Sequence, residues 1–461
     1  MQIIEISESD AIDIETEIIV GIDFGTTNSL IAISENYNAK IIPMQNGAEI
    51  VPSIITILDD NILIGSIQSS SQFIRSIKRL LAKSSQEIKD NHNLNYLSSI
   101  LNLEEKLPRI LFNNKFVSLP EMASLIFKYL KNEAQIKLDI EIKKAVVTVP
   151  AHFDDNARGQ VLLAAKLAGL DVIRLISEPT AAAYAYGLNR AKEGAYLVYD
   201  FGGGTFDVSI LHMQKGVMQV IATGGDNMLG GDDIDMLLAQ YIAIKYNISI
   251  NNDLINYAKN IKEKLADHEL VSDILGNIKI NISKNEFEEV INEIIKKTIT
   301  IVKNTLHDAD DIKLDCIILV GGSTRISMIR EMLKKKFAVE IFSDLDPDKI
   351  VAMGAAMQAE NLSTQSNMIL LDVVPLSIGL ELYGNLAEKI ILRNTPIPFS
   401  ITKEFTTHVD NQTGMQFHIV QGEREMASDC RSLAHFELTE IQPQKAGKAR
   451  EIGRASCRER V

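Results

Sequence analysis

The sequence predicts an α/β domain of two similar lobes, followed by a small all-β module. Three observations lead to this class. An apolar strand, Asp-Phe-Gly, a small-residue turn and a second apolar strand occur together twice, at Asp23 and at Asp200. Predicted strands and helices alternate between residues 144 and 360, as they do in α/β folds. From Pro375 onward the chain shows only short β segments separated by turn residues.

Composition indicates an ordinary soluble globular protein and argues against two classes of partner. The 461 residues are enough for two or three domains, and 46% of them are hydrophobic. A formal net charge of −14 argues against nucleic acids and anionic membranes, which attract clusters of Lys and Arg. No apolar run approaches the ~20 residues of a membrane span, and residues 1–17 form an acidic lead-in rather than a basic signal peptide. Three scattered cysteines match no metal-ligand spacing, so we expect a reducing, cytoplasmic location.

The first turn has the composition of a phosphate-binding loop. Gly25 allows a sharp turn, and Thr26, Thr27 and Asn28 add short donors beside a row of backbone N–H groups. Asp23, at the end of the entering strand, is placed to face the bound phosphates. Because a lone carboxylate would repel them, the pattern predicts a divalent cation between the two.

The second turn has the same plan. Its acids, glycines and hydroxyl are Asp200, Gly202, Gly203, Gly204, Thr205 and Asp207. One glycine- and threonine-rich turn is weak evidence, because most such turns are ordinary hairpins. Two copies with the acid in the same place favour two lobes that hold one nucleotide between them. A pair of structural hairpins is the alternative.

Between the two turns, the spacing predicts a helix over residues 73–81, with Lys78 at its polar margin. Taken alone, such a lysine is most simply a solvated side chain. Residues 84–107 are polar and Asn-rich and predict an exposed insertion. A helix is expected from residue 119, with a proline in its first turn.

The next elements lead to an acid at a strand-to-helix junction. A buried strand over residues 144–150 is followed by a helix that Asp154 or Asp155 caps and Gly169 ends. The strand after it delivers Glu178 to the start of an Ala-rich helix that stops at Gly187, beside the positive end of the helix dipole. Glu178 is then either an ordinary helix-start acid or, if it faces a cleft, a group that positions or activates water.

The second lobe contains two further glycine clusters. Gly230 and Gly231 precede a helix and allow a ligand close to the backbone. A helix over residues 254–270 has a charged face, which a solvated surface explains for most of its residues. The strand over residues 317–320 runs into a turn that admits a planar group, on which an arginine can stack. That turn comprises Gly321, Gly322, Ser323 and Arg325.

A polar linker follows, but it contains an apolar segment over residues 368–373. An exposed apolar linker usually docks, so we expect this one to do so in at least one state. The β module over residues 375–449 carries apolar side chains suited to holding an apolar segment, although several must be core: Leu380, Tyr383, Phe405, Met415 and Phe417. Residues 450–461 are basic and aperiodic, and we expect them to be a non-native tail outside the fold, which leaves the β module partial.

Four motifs together closely resemble the seventy-kilodalton heat-shock chaperone family. They are residues 22–29, 177–183, 199–207 and 319–326. The linker residues Leu371 and Asp372 and the stretch from Pro375 add to the resemblance, which runs in order from about Ile18 to about Glu440. Within the family, several stretches are most similar to the members that serve iron–sulfur cluster assembly.

The resemblance implies an actin-like, ribonuclease H-like two-lobed ATPase domain over residues 18–363, a linker over 364–374 and a partial β-sandwich for peptide. Asp23 and Asp200 would hold Mg²⁺ through water, and Lys78 would orient the water that attacks ATP. Glu178 and Thr205 would line the γ-phosphate, with Asp207 a further candidate. Lys262 and the Gly321–Arg325 turn would receive the adenosine, with Asp348 nearby. Pro150 and Arg158 match the interlobe relay of the family.

The resemblance also implies a monomer that works with a J-domain co-chaperone and an iron–sulfur scaffold protein bearing an extended apolar segment. Lys259 and Glu263 stand where general-purpose members carry an acid and a base. We therefore expect the adenosine clamp to be altered and nucleotide to leave without an exchange factor. A general folding chaperone, a small-molecule kinase of the same superfamily and a filament-forming ATPase are the alternatives. Asp-Phe-Gly occurs twice as in a protein-kinase motif, but the chain has no His-Arg-Asp catalytic loop.

Overall fold

The computed structural model describes residues 18–58, 61–67, 72–81, 83–90, 101–112, 115–190, 193–342, 345–364 and 369–457, so the predicted lead-in lies outside it. The strands are β1 Ile19–Phe24, β2 Asn28–Glu35, β3 Asn38–Ile41, β4 Val51–Pro52, β5 Ile54–Ile57, β6 Ile62–Ile64, β7 Gln72–Arg75, β8 Leu101–Asn102, β9 Arg109–Phe112, β10 Lys115–Ser118, β11 Lys144–Val149, β12 Asp171–Ser177, β13 Gly194–Phe201, β14 Phe206–Gln214, β15 Val217–Asp226, β16 Leu270–Leu275, β17 Ile278–Ser283, β18 Cys316–Val320, β19 Glu340–Phe342, β20 Ile369–Leu371, β21 Ile378–Leu382, β22 Leu386–Ile391, β23 Phe399–Phe405, β24 Met415–Gln421, β25 Arg431–Leu438 and β26 Glu451–Cys457. The helices are α1 Ile77–Leu80, α2 Ser85–Lys89, α3 Leu119–Leu138, α4 Asp155–Leu167, α5 Glu178–Arg190, α6 Gly231–Tyr246, α7 Asn252–Leu265, α8 Lys284–Asp308, α9 Ser327–Phe337 and α10 Ile350–Thr364, with short 3-10 turns at Gly322–Arg325 and Ala427–Asp429.

Two mixed six-stranded sheets organise the α/β part. The first has the order β12-β11-β1-β2-β3, with β4 paired to β2, and the second has the order β19-β18-β13-β14-β15-β20. In each sheet an antiparallel hairpin, β1–β2 or β13–β14, has a parallel strand on its other side, β11 or β18. The two predicted strand–turn–strand motifs thus occupy equivalent places. We call the part around the first sheet the first lobe and the part around the second sheet the second lobe.

Helices α5 and α10 pack together between the two sheets. Their alanines belong to one buried cluster with side chains from both sheets, including Val146 and Val198. The packing depends on glycine, since a Cβ on Gly354 would overlap the carbonyl of Ala181, and a Cβ on Gly21 would overlap the backbone of Ala356. These close approaches join the two lobes at their base.

The helix-start predictions are confirmed where a capping residue was identified. Asp154 accepts a hydrogen bond from the Ala157 N–H and begins α4, and Gly169 follows that helix with φ of 75°. Ser118 forms a capping box with Glu121 at the start of α3. The caps satisfy N–H groups that the first turn leaves without partners.

Three element boundaries were wrong. Residues 72–75 form β7, paired with β5, and the helix is confined to Ile77–Leu80 after Ser76 in the left-handed region at φ of 54°. Strand pairing therefore overrides the helical spacing of residues 73–81. Helix α5 continues past Gly187 to Arg190, and α7 ends at Leu265, where a turn leads into β16.

The predicted docking of the apolar linker is confirmed for its described residues. Strand β20 pairs in parallel with β15 at the edge of the second sheet, and Leu370 and Val373 are buried. Residue 368 lies outside the described residues. Because β20 extends a sheet of the second lobe, the linker is part of that lobe's structure here.

The β module contains a four-stranded sheet of order β22-β21-β24-β25 and the two-stranded pair β23–β26. It contacts the lobes through Arg393, 2.8 Å from Asp308, and Arg431, 3.3 Å from Asp154. The expectation that residues 450–461 lie outside the fold is wrong for residues 451–457, which pair with β23 along its length. Their burial alternates along the strand, but Ile452 is on the exposed face, so the sequence carries no amphipathic β pattern that predicts it. No helix among the described residues is long and apolar enough to cross a membrane.

Replacing Gly354 by Ala tests the packing of α5 against α10. We expect a loss of at least about 2 kcal/mol in stability, because the new methyl group forces the helices apart. Gly276→Ala is the matched control, since its φ of 59° carries strain but its Cβ position is open; it should cost only about 1 kcal/mol. Calorimetric unfolding measures both. Equal losses would show that the helix crossing tolerates a side chain.

Candidate active site

A cavity of about 620 Å³ lies between the lobes and is lined from both sides. Most of the predicted site residues line it: Asp23, Gly25, Thr26, Thr27, Asn28, Lys78, Glu178, Asp200, Gly202, Gly203, Thr205, Gly231, Lys262, Gly321, Gly322, Ser323, Arg325 and Asp348. Residues more than 300 positions apart in the chain therefore share one hollow. Gly204, Gly230 and Asp207 are not among its lining residues.

The two glycine–threonine turns approach each other directly. A Cβ on Gly203 would overlap Thr27 Oγ1, so only glycine allows this contact. The Thr27 hydroxyl is buried and has no hydrogen-bond partner among the described residues. Gly230 packs on the backbone of Gly203, and Gly204 packs on the side chain of Arg79, so both support the turns from behind. An unpaired hydroxyl at this position fits a phosphate oxygen as its acceptor.

Four buried carboxylates surround Lys78. Asp23 and Asp200 end the first strand of each hairpin, Glu178 begins α5, and Asp207 lies on β14. Lys78 is 2% exposed and forms an ion pair with Glu178, so it is not the solvated side chain that its local pattern, taken alone, indicated. Its burial follows from the tertiary structure, because Ile77 and Leu80 of α1 pack into the core of the first lobe while Lys78 lines the cavity between the lobes.

The excess of negative charge raises the pKa of these acids. Burial, with the charge of Glu178 next, raises the pKa of Asp23 to about 7 and that of Asp207 to about 7. The pKa of Asp200 is raised for the same two reasons. Lys78 opposes the shift, but it is one cation against four acids. The cluster is therefore incompletely neutralised by its own side chains.

A hydrated divalent cation fits this arrangement. Carboxylate oxygens are the ligands that Mg²⁺ prefers, and Mg²⁺ usually keeps several of its waters. Among the described residues, no three acidic, His or Cys side chains are grouped closely enough to hold a metal directly. Asp23 and Asp200 thus fit a cation held through water and phosphate oxygens rather than a protein cage.

The far end of the cavity offers planar and charged groups. Arg325 donates to Asp346 at 2.9 Å and to Asp348 at 2.7 Å, while Ser323 donates to the carbonyl of Gly202. Lys262 is 2.7 Å from Asp235. A guanidinium held between two acids presents a flat face, which suits stacking on a base.

Sequence analysis missed several side chains of the site. Thr148 donates to Asp23 at 2.8 Å from the neighbouring strand β11, and Arg79 pairs with Asp233 at 3.3 Å. Asp232 and Asp235 line the cavity from α6. The signal for Asp232 was available, because acids in the first turn of a helix after Gly-Gly are typical of such loops. Nothing local marked Thr148 or Arg79.

Pro150 and Arg158, which match the interlobe relay of the family, belong to a segment that contacts the site. Arg158 donates to the carbonyls of Phe153 and Ala151, which holds the loop after Pro150. In that loop the His152 N–H donates to Asp207 at 3.0 Å. The loop therefore touches an acid of the site directly.

The structure does not bring the five predicted peptide residues together. Phe405, Met415 and Phe417 share one small cluster, and the first and last of these rings are 5.0 Å apart. Leu380 is buried but is not part of that cluster, and Tyr383 is fully exposed.

Two mixed sheets with facing glycine–threonine turns around an acid-rich cavity define a two-lobed nucleotide-binding protein. The family model described as Hsp70 protein matches residues 19–453, and the chain belongs to the Hsp70 family. The resemblance identified from the sequence is thereby confirmed. As a member of this family the chain is an Hsp70-type chaperone. Hsp70 chaperones bind nucleotide and are ATPases.

Its curated relatives include proteins from three Rickettsia species, each named "Chaperone protein HscA homolog". Identity is 52% for Rickettsia africae (strain ESF-5), 53% for Rickettsia bellii (strain RML369-C) and 51% for Rickettsia prowazekii (strain Madrid E). Each match extends over 454 residues, which is 98% of this chain and 75% of the relative. The predicted similarity to one specialised branch of the family is therefore also confirmed.

The raised pKa values predict an unusual pH dependence of stability without nucleotide. Asp23 and Asp207 have ordinary pKa values of 3.8 that the fold raises to about 7. Between these values the folded chain holds protons that the unfolded chain has lost, so the free energy of unfolding falls as pH rises. We expect the calorimetric melting temperature to decrease between about pH 5 and about pH 8.

Asp207→Asn should flatten this slope, and Asp253→Asn, at an exposed position of α7, should leave it unchanged. Adding MgADP should also flatten it, because a cation among the carboxylates favours their charged forms. A melting temperature that rises with pH in the nucleotide-free protein would contradict the electrostatic description of the cluster.

Proposed function

We propose that this protein is an ATP-dependent chaperone that couples the Mg²⁺-dependent hydrolysis of ATP to ADP and phosphate to the binding and release of peptide. Its client would be an iron–sulfur scaffold protein during cluster assembly, as suggested by the HscA names of its relatives. The observation that carries the proposal is the meeting of Asp23, Asp200, Lys78 and Glu178 in one interlobe cavity. The size of that cavity suits a nucleotide.

In this proposal the chain's own groups position the reaction. Lys78, held by Glu178, orients the water that attacks the terminal phosphate, and Thr205 and the two turns hold the phosphate oxygens with N–H and hydroxyl donors. Asp207, whose buried Oδ2 has no hydrogen-bond partner among the described residues, is a candidate to accept the proton of that water. Mg²⁺ at Asp23 and Asp200 would supply positive charge that neutralises the phosphates.

Coupling to peptide would use the contacts between the lobes and the β module. The loop over residues 150–155 reaches Asp207 through His152, and the Asp155 N–H donates to Gln421 of β24 at 3.1 Å. The linker strand β20 pairs with β15, which follows the hairpin bearing Asp200. A change in the separation of the lobes therefore has two physical routes to the β module.

We further propose the partners and setting implied by this branch of the family. They are an HscB-like J-domain co-chaperone and an IscU-like scaffold protein with an extended apolar segment, acting on a monomeric, cytoplasmic chaperone. Within the β module, Phe405, Met415 and Phe417 are the better candidates for peptide contact, because they lie in one cluster and two of them are only partly buried. Tyr383 is a weaker candidate, since it stands alone at a hairpin turn.

The proposal is tested by ATPase activity with and without a scaffold protein that carries a Leu-Pro-Pro-Val-Lys segment. We expect severalfold stimulation by that scaffold and little by an unrelated unfolded protein, which would instead indicate a general folding chaperone. Lys78→Met should lower hydrolysis by about 100-fold or more while ADP still binds, since it removes only the group that orients water. Lys83→Met, at a partly exposed lysine five positions further along the chain, is the control. The assay should be repeated on a chain extended to the length of the relatives.

Asp372→Asn tests the linker route. Asp372 Oδ1 accepts the N–H of Val373 at 2.8 Å, and its carbonyl accepts the N–H of Ile397, so it connects the linker to the β module. We expect unchanged basal hydrolysis and weakened stimulation by scaffold and co-chaperone. Asp410→Asn, which also accepts a backbone N–H but lies far along the β module, should behave as the original protein. Full stimulation in Asp372→Asn would refute the route.

Release of ADP tests the altered adenosine clamp. The Lys259–Glu263 pair is 4.0 Å apart with both side chains more than a third exposed, so it contributes little holding energy. All three side chains line the cavity, but Lys262 is nearly buried. In stopped-flow measurements with labelled ADP we expect release without an exchange factor, a small effect of Lys259→Ala and several-fold acceleration by Lys262→Ala. Slow release that speeds up only with an exchange factor would count against this.

A further inference from the structure

A second, smaller cavity adjoins the candidate active site. We call it the side cavity; its volume is about 180 Å³. It shares six lining residues with the main cavity, and three of them belong to the first phosphate-type turn: Thr26, Thr27, Asn28, Asp232, Asp235 and Lys259. On its far side it is lined by Arg75 of the first lobe and Asn256 of the second lobe.

The side cavity has the size of a small anion rather than a nucleotide. A water molecule occupies about 30 Å³ in the liquid, so this volume corresponds to about six waters. That is room for an inorganic phosphate and part of its hydration shell. Thr26, Thr27, Ser53 and Ser76 line it, and the Thr27 hydroxyl lacks a partner among the described residues.

Its charged groups favour an anion. Two carboxylates reach the side cavity, but Asp235 is paired with Lys262, and Asp232 accepts from Ser76 and is 3.8 Å from Arg79. The cations that line it are Arg75, which donates to Asn256, and Lys259, which lies 4.0 Å from Glu263 in a largely exposed pair. A guanidinium binds phosphate oxygens in a two-pronged geometry that an ammonium cannot reproduce.

Arg75 is also part of a contact that crosses the cleft. Its Nη1 donates to Asn256 Oδ1 at 2.8 Å, which joins the end of β7 to α7. The next residue, Ser76, has left-handed backbone geometry and donates to Asp232 at 2.7 Å. Arg75 and Ser76 of the first lobe therefore both hydrogen-bond to the second lobe, just before Lys78 in the chain. Such strain is kept where the surrounding contacts require it.

We propose that the side cavity is the exit site for the inorganic phosphate product, with Arg75 as its cationic ligand and the Arg75–Asn256 hydrogen bond as its closure. The inference rests on the proposed ATPase function. Phosphate passes from the shared Thr26–Asn28 wall to the guanidinium and leaves when the hydrogen bond between the lobes opens. Phosphate and ADP then leave by different routes, because the adenosine end of the main cavity lies at the Arg325 turn.

The test separates three steps in a single turnover of the full chain. Rapid quenching measures phosphate formed, a fluorescent phosphate sensor measures phosphate released, and labelled nucleotide measures ADP released. Equilibrium dialysis of radiolabelled phosphate against the ADP-bound protein gives phosphate affinity without any turnover. Asn260→Ala, one turn after Asn256 and exposed, is the matched control for Asn256→Ala.

We expect Arg75→Gln to release phosphate several-fold faster and to weaken phosphate affinity by about tenfold, as for loss of one charge-assisted contact. Asn256→Ala should speed release while keeping the affinity, and Asn260→Ala should match the original protein. Unchanged phosphate release and affinity in Arg75→Gln would overturn the inference. So would equal acceleration of ADP and phosphate release, which would make the contact a nucleotide latch. If the original protein forms no phosphate from ATP, the proposed function fails instead.

Discussion

The structure depends on holding four carboxylates and one lysine in a crevice between two sheets. Asp23 and Asp200 come from equivalent strand ends, so the acids meet only if the lobes pack with their hairpins facing each other. Like charges in a buried site repel strongly unless a cation or protons neutralise them. The crevice is therefore stabilised by its ligand, and the lobes have a physical reason to respond to what lies between them.

The same crevice explains the tight backbone contacts around it. Gly203 and Gly230 are close to neighbouring backbone or side-chain atoms because the two turns meet with no space for a Cβ. At the base of the lobes Gly354 serves the same purpose in the α5–α10 crossing. The lobes are thus packed closely at the base and joined by polar contacts, such as Arg75–Asn256, across the cleft. Packed cores resist deformation, whereas single hydrogen bonds open readily.

The site residues were predictable where the functional groups lie close together in the sequence. Asp23, Gly25 and Thr26 occur in one turn, so their proximity follows from local geometry alone. Lys78 was assigned correctly to the cavity only through family resemblance, because its own neighbours indicated a solvated helix margin. Thr148 and Arg79 were missed because their partners, Asp23 and Asp233, lie more than 120 residues away. In the β module, alternation predicted most strands but did not predict which apolar side chains share a cluster.

The sequence by itself determined the local elements: two equivalent hairpins, their phosphate-type turns, the helix caps and an apolar linker that has to be buried against another element. These follow from period, turn chemistry and capping, which act between neighbours in the chain. Only the tertiary structure decided which side chains are buried together, that residues 72–75 form a strand, that Glu451–Cys457 form one as well, and that a side cavity adjoins the active site. Burial and long-range strand pairing depend on elements far apart in sequence, so patterns among neighbouring residues do not predict them.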